Sequence, residues 1–363
     1  MNILMISNMY PTEKYPFYGV FVKNFEDTLI NSDARVKRVV LTKSNYSVLK
    51  LIKYILYYYK IFFNIVFNKF DIVYVHYISH NSIPLLIAQK FKKFNLWINV
   101  HGSDIIPYKK SQFKLQKYVD KIVPSAQRII VPSNYFKNVV HNRFKVNEEK
   151  ISIIASGGVN ERIFTRLNSQ LILEYKESNK ISLNKKIIGC ICRIEEKKGW
   201  DIFLKSIHLL KNQGMLKDKK ILFVGDGSEI NEFNLLVKKL ELESYIIHKK
   251  LVSQSELAKI YNSLDVLCFT SLQESLGLIP IECMACGTLV IASDIEPTKE
   301  YIINDKSGFL FKQGNYKELS EKIKDFFMID EEKKISMIKE SSLIISKYYT
   351  SNVKKEILDI IKA

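Results

Sequence analysis

The chain has 363 residues, a length that suits about two domains. A hydrophobic content of 47% and a charged content of 26% exclude a disordered or low-complexity protein. Lys and Arg number 55 against 38 Asp and Glu, a net charge of +17. Such a field draws nucleic acid, acidic membrane or phosphorylated small molecules, and carries no information on fold.

Residues 1–9, MNILMISNM, lack the basic flank and cleavage site of a signal peptide and read as a buried strand, Asn2–Ser7. Strand candidates follow at Arg38–Thr42, Ile72–His76, Leu96–His101, Arg128–Pro132 and Ile151–Ala155. Helical patterns lie between them, at Val20–Asn31, Ser47–Asn68, Ser82–Phe94 and Asn134–Phe144. The longest uncharged stretch, Ile72 to Gln89, contains His76, His80, Asn81, Ser82 and Pro84, which argues against a membrane span.

A polar stretch, Asn160–Lys186, leads into a second series. Its strands are Ile187–Cys192, Lys220–Val224, Tyr245–His248, Val266–Thr270 and Thr288–Ala292. Helices Trp200–Gln213, Ile230–Glu241, Gln254–Ser263 and Leu278–Cys286 alternate with them. Strand–helix alternation predicts parallel sheets with helices on both faces. The expected architecture is α/β, two Rossmann-like domains facing across a deep cleft. The first covers residues 1–160 and is rejoined by a C-terminal helix at about 345–363; the second covers 161–344.

The five cysteines, at 190, 192, 268, 283 and 286, are an odd number without a secretory signal, which predicts free thiols in a reducing compartment. Cys283 and Cys286 have the spacing of half a zinc site. They lie in the apolar run IPIECMACG with no second pair and no flanking His, so core packing is the better reading.

Polar residues gather just after the strands. The sharpest group is Glu274-Ser-Leu-Gly-Leu-Ile-Pro-Ile-Glu282, two carboxylates around a Gly at a strand-to-helix turn. Carboxylates accept from vicinal sugar hydroxyls, and the turn's N–H groups at a helix N-terminus favour a phosphate. In Arg193-Ile-Glu-Glu-Lys-Lys198-Gly199, Arg193 leaves a strand and Lys198 closes the loop before a helix. Guanidinium and ammonium together could neutralise a diphosphate. A dinucleotide fingerprint from Gly225 would need Gly or Ala at 230; Ile230 stands there, so a standard NAD site is rejected.

These pieces, in this order and spacing, resemble the retaining glycosyltransferases of family 4, which have the two-domain GT-B fold. CRIEEKKGW resembles that family's Gly-Arg-Leu-x-x-x-Lys-Gly loop, with Cys192 for Gly and Ile194 for Leu. FVGDGSE resembles its second glycine loop, and TSLQESLGLIPIECMACGTLVIAS its Glu-x7-Glu signature. The resemblance implies roles at the matching positions. Arg193 and Lys198 hold the donor diphosphate, and Glu282 the ribose hydroxyls. Glu274 contacts the donor sugar, and Ser275, Leu276 and Gly277 give backbone contacts. Gly19 matches the N-terminal glycine loop, where Tyr18 replaces a second glycine of many members. His101, in HGSD, matches a histidine facing the donor sugar.

The function so implied is metal-independent transfer from a nucleotide-diphosphate sugar to a hydroxyl of a glycan or lipid-linked acceptor, in cell-surface polysaccharide biosynthesis such as capsule or lipopolysaccharide. No cofactor and no nucleic-acid partner are expected, and the expected location is cytoplasmic. A sugar-nucleotide epimerase on the same fold, and a non-catalytic nucleic-acid- or membrane-binding subunit, are the competing readings. The spacing of Arg193, Lys198, Glu274 and Glu282 speaks against both.

Residues 47–69 add a membrane expectation. At about 100° per residue, Lys50, Lys53, Lys60, Asn64 and Asn68 fall on one narrow face. Leu51, Ile55, Tyr58, Tyr59, Phe62, Ile65, Val66 and Phe67 form a wide apolar remainder. Aromatic residues beside lysines in a +17 chain predict peripheral binding to an anionic membrane at the inner face of the cell membrane.

Overall fold

The computed structural model describes residues 1–362 except 16–17, 33, 44–46, 109, 180 and 182; for 47–49 it describes the backbone alone. The chain divides into two compact units. One is Met1–Gly157 together with Val353–Ala363, and the other is Gly158–Asn352.

The first unit holds β1 (Asn2–Ser7), β2 (Arg35–Val40), β3 (Ile72–His76), β4 (Leu96–Asn99), β5 (Arg128–Val131) and β6 (Ile151–Ile153). They form a parallel sheet in the order β2-β1-β3-β4-β5-β6. Every residue of β3 and β4 is buried, as expected of parallel strands covered on both faces. The second unit holds β7 (Lys186–Ile191), β8 (Lys219–Val224), β9 (Ile246–Lys249), β10 (Val266–Phe269), β11 (Leu289–Asp294) and β12 (Phe309–Lys312). Its sheet is also parallel, in the order β12-β11-β10-β7-β8-β9.

Two of the expected elements shift by three residues or more. β2 starts at Arg35, three residues before Arg38, because its first residue pairs beside Asn2 and donates to the Met1 carbonyl. The helix expected at Ser82–Phe94 is Ile78–Gln89. It starts directly after β3 because Tyr77 takes the left-handed conformation, φ 59°, and the Asp104 carboxylate accepts from the Ile78 N–H. That acceptor is 26 residues away and leaves no local signal. Pro84 lies inside this helix and cannot donate to the His80 carbonyl four residues earlier. The Tyr58 hydroxyl donates to that carbonyl instead, at 2.7 Å, and the adjacent Tyr57 hydroxyl donates to Asn81 at 2.7 Å. Part of the tyrosine content of helix Ser47–Phe67 is explained by mending its neighbour. The polar stretch Asn160–Lys186 also contains a helix, Ser169–Ser178, capped by the Asn168 side chain.

Candidate functional site

In the second unit the chain builds β7, β8 and β9 outward to one side, then returns to place β10 against the other side of β7. The loops after β7 and β10 therefore diverge from neighbouring strand ends, the place where open α/β sheets bind ligands. The Leu272 N–H donates to the Lys197 carbonyl at 2.8 Å, joining the two loops. Gly199, at φ 68°, lies so near β10 that a Cβ there would be 2.0 Å from the Thr270 carbonyl oxygen. The two glycines after β8 serve the same packing: a Cβ on Gly225 or Gly227 would be 1.9 Å or 2.2 Å from the carbonyls of Cys192 and Ile194.

This junction brings Lys198 to Glu274. The Lys198 ammonium is 2.6 Å from Glu274 Oε1, and the Ser271 hydroxyl donates to the same oxygen at 2.7 Å. Both charged side chains keep less than a fifth of their surface exposed, 18% and 17%, so water screens the pair weakly. Arg193 stays more open, at 57%, and pairs with Glu195 at 2.8 Å.

Gly277, at φ 86°, is the N-cap of helix Leu278–Ala285 and, as a glycine, offers its first N–H groups no side-chain acceptor. The buried Tyr301 braces the turn, its hydroxyl lying 3.1 Å from both the Leu276 and Gly277 carbonyls. One turn into the helix, Glu282 Oε2 accepts from the Tyr261 hydroxyl at 3.0 Å. Burial pushes the Glu282 carboxyl up to about 7, and the Tyr261 bond pulls the other way. A carboxyl held near neutrality ionises easily once hydroxyl donors reach it.

In the first unit His101 follows β4. Its Nε2 is 3.0 Å from His76 Nδ1, and its ring stacks on Tyr77 at 4.5 Å and lies 4.8 Å from Phe21. Burial pushes His101 down to about 3 and His76 well down, with the neighbouring imidazole adding to the latter. The pair is therefore neutral at pH 7, one ring donating to the other. Asp104 accepts from the His101 N–H at 3.1 Å, and burial pushes its carboxyl up to about 6. Gly19, at φ 79°, packs on the chain after β1: a Cβ would be 2.8 Å from the Met9 carbonyl carbon.

Lys198, Glu274, Ser275, Leu276, Gly277, Glu282 and Arg193 thus share the second unit, and Gly19 and His101 the first. Ser271 belongs to the polar group expected after β10, whereas sequence reasoning missed Tyr261, Tyr301 and His76. Each of these three lies 21 residues or more from the residue it touches. All five cysteines are free and buried, and among the described residues no group of three or more His, Cys, Asp or Glu could hold a metal ion.

Two six-stranded parallel sheets, each with helices between its strands, define a two-unit α/β protein of the GT-B fold. The description "Glycosyltransferase Family 4" matches residues 19–159, and "Glycosyl transferases group 1" matches residues 172–342; the chain belongs to this glycosyltransferase family. Among curated relatives, N-acetyl-alpha-D-glucosaminyl L-malate synthase of Bacillus anthracis is 26% identical over 68% of this chain and 63% of its own length. A D-inositol 3-phosphate glycosyltransferase of Paenarthrobacter aurescens is 24% identical over 57% and 50%. The capsular polysaccharide biosynthesis glycosyltransferase CapM of Staphylococcus aureus is 26% identical over 54% and 51%. The chain thus spans between half and just under two thirds of the length of these relatives. Among solved structures, the HepE protein of Anabaena in complex with UDP superposes with a TM-score of 0.78 at 16% identity, over all of both chains. Sucrose-phosphate synthase of Thermosynechococcus elongatus gives 0.80 at 16% identity, covering 100% of this chain and 98% of that one.

Proposed function

We propose that the chain is a retaining glycosyltransferase that takes its sugar from a nucleotide diphosphate without a metal ion. The observation that carries this reading is the meeting of Lys198 with Glu274, just ahead of the Gly277 start of helix Leu278–Ala285. A diphosphate there would meet N–H groups at the helix N-terminus and two side-chain cations, Lys198 and the more exposed Arg193. Glu282 would accept from the ribose hydroxyls, Glu274 from those of the sugar, and Ser275, Leu276 and Gly277 would offer backbone atoms. Gly19 and His101 are assigned to the diphosphate and the sugar in the same reading.

The bond from the anomeric carbon to the phosphate oxygen breaks, and its electron pair goes to the leaving diphosphate. The acceptor hydroxyl bonds to the same face of the sugar, and its proton passes to the leaving phosphate. The charge that develops on the diphosphate meets preorganised cations, usually the largest single contribution to catalysis. Those cations take the place of a divalent ion. The complexes of the Anabaena HepE protein with UDP and with UDP-glucose support a nucleotide-sugar donor, and similarity to CapM supports an acceptor in cell-surface polysaccharide assembly, on a glycan or a lipid-linked glycan.

Titration calorimetry with UDP-, GDP- and ADP-sugars tests the donor site, and NMR of the product's anomeric configuration tests retention. No binding by any of them, or an inverted product, defeats the corresponding half of the proposal.

A further inference from the structure

The helix Ser47–Phe67 is turned differently from the amphipathic reading. Asn64, expected on the polar face, is buried and donates to the Lys60 carbonyl at 2.8 Å; Asn68 is half-buried. Tyr57, Ile61 and Ile65 join the core of the first unit. The face left to water is the apolar one. Leu51 is 65% exposed, Ile55 60%, Tyr59 62% and Phe67 66%, with Ile52, Leu56 and Phe63 exposed among them. At about 100° per residue these seven lie within an arc of about 160°. Their rings form a chain, 5.9 Å from Tyr59 to Phe63 and 4.8 Å from Phe63 to Phe67. Phe62 carries the surface on to the exposed Phe91 of the next segment, 5.2 Å away. Lys92 ties that segment down by donating to the carbonyls of Ile65, Val66 and Asn68 at the helix end.

We propose that this face is a docking surface for an anionic lipid bilayer, on which helix Ser47–Phe67 lies in the plane of the interface. The charge around it selects the occupant. From residue 47 to residue 95 there are seven lysines, at 50, 53, 60, 69, 90, 92 and 93, against one acidic residue, Asp71. Lys60, Lys90 and Lys93 are exposed beside the apolar row. A second copy of the chain would set this patch against itself, lysine facing lysine, because a two-fold interface is self-complementary. Anionic headgroups accept the lysines while the acyl boundary accepts the aromatic and aliphatic rows. Among the described residues no helix is long and apolar enough to cross a membrane, so the helix lies on the bilayer. The proposal deepens the lipid-linked half of the acceptor reading above, and the donor chemistry does not depend on it.

The test is co-sedimentation of the full chain with vesicles of phosphatidylcholine alone or mixed with phosphatidylglycerol, without donor. Wild type is expected to pellet with the mixed vesicles at low salt and to leave them as salt rises. Leu56→Ser/Tyr59→Ser/Phe63→Ser should lower the partition coefficient at least tenfold. Lys60→Gln/Lys90→Gln/Lys93→Gln should lower it and flatten the salt dependence. These positions are exposed, so both variants should melt with wild type and bind the nucleotide sugar equally well; loss of donor binding in wild type would instead defeat the catalytic reading. The docking proposal is overturned if wild type stays in the supernatant with mixed vesicles, or if the serine variant pellets like wild type. It is equally overturned if wild type sediments as a dimer that the serine substitutions dissolve, which would give the face to a second copy.

Discussion

Lys198 and Glu274 stand 76 residues apart in the chain and 2.6 Å apart in space, joined by the adjacency of β7 and β10. The ammonium that would neutralise a leaving diphosphate is thus held by a carboxylate assigned to the sugar. Donor binding must share that ammonium between two anions.

This relationship predicts coupling. Lys198→Ala should lower turnover of the nucleotide sugar, read as release of the nucleotide diphosphate, by about 3 kcal/mol in barrier, a hundredfold or more. Arg193→Ala should lower it too. Glu274→Ala should also slow it, and the double variant Lys198→Ala/Glu274→Ala should lose much less than the sum, because each single change leaves a weakly screened charge unpaired. Additive losses would mean that the pair does not act as a unit.

Glu282 predicts a pH dependence. Its carboxyl is pushed up to about 7, above the ordinary carboxylate range, and hydroxyl donors favour its ionised form. Affinity for UDP-glucose, whose diphosphate does not titrate in this range, should therefore rise from pH 5.5 to pH 8. The rise should vanish in Glu282→Gln. Glu282→Ala should weaken the free diphosphate as well as the donor, whereas Glu274→Ala should weaken mainly the intact donor. The same raised carboxyl binds a proton in the fold that the unfolded chain has released, so its contribution to stability falls between about pH 4.5 and about pH 7. Calorimetry across pH checks the first claim and thermal unfolding of wild type against Glu282→Gln the second.

Two glycines of similar positive φ separate backbone strain from packing. Gly199 and Gly214 have φ of 68° and 72°, but a Cβ on Gly214 meets nothing within 4 Å. Gly214→Ala should cost only the left-handed penalty, about 1–2 kcal/mol. Gly199→Ala should cost clearly more and lose donor binding, because it pushes the loop after β7 off the Thr270 carbonyl. Similar melting temperatures for the two variants would refute the close approach.

The Pro84 repair is testable alone. Tyr58→Phe keeps the ring and leaves the His80 carbonyl without its donor, which should cost about 1–3 kcal/mol in chemical denaturation. Combined with Pro84→Ala, which restores the helical N–H, the loss should be largely recovered. No recovery would mean that the hydroxyl does not serve that carbonyl.

Metal independence predicts that activity survives excess EDTA. Full loss on chelation, restored by Mg²⁺ or Mn²⁺, would contradict the assignment of charge neutralisation to Arg193 and Lys198.

Some of this was legible in the chain alone. Continuous apolar runs such as IVYVH and VLCF announce parallel strands because both of their faces are buried, a property local to each run. The gathering of Arg193, Lys198 and Glu274 after β7 and β10 was legible because the residues that leave a strand end are set by the strand itself. The start of helix Ile78–Gln89 was not legible, since its signal is a carboxylate 26 residues away.

The sequence by itself determined the alternation of elements, the two-unit plan and the cluster of charges after the strands, all of which follow from local periodicity. Only the tertiary structure decided which charges meet and which face of a helix sees water. Lys198 reaches Glu274 because the strand order puts β10 beside β7, and Tyr261 and Tyr301 reach the site from separate segments. Helix Ser47–Phe67 shows the same limit: the periodicity fixes which residues share a face, but hydrogen bonds from Tyr57 and Tyr58 to the neighbouring helix turn Asn64 inward and leave Tyr59, Phe63 and Phe67 outside. A hydrophobic pattern ranks the faces of a helix by polarity, and specific partners elsewhere in the chain choose which of them is buried.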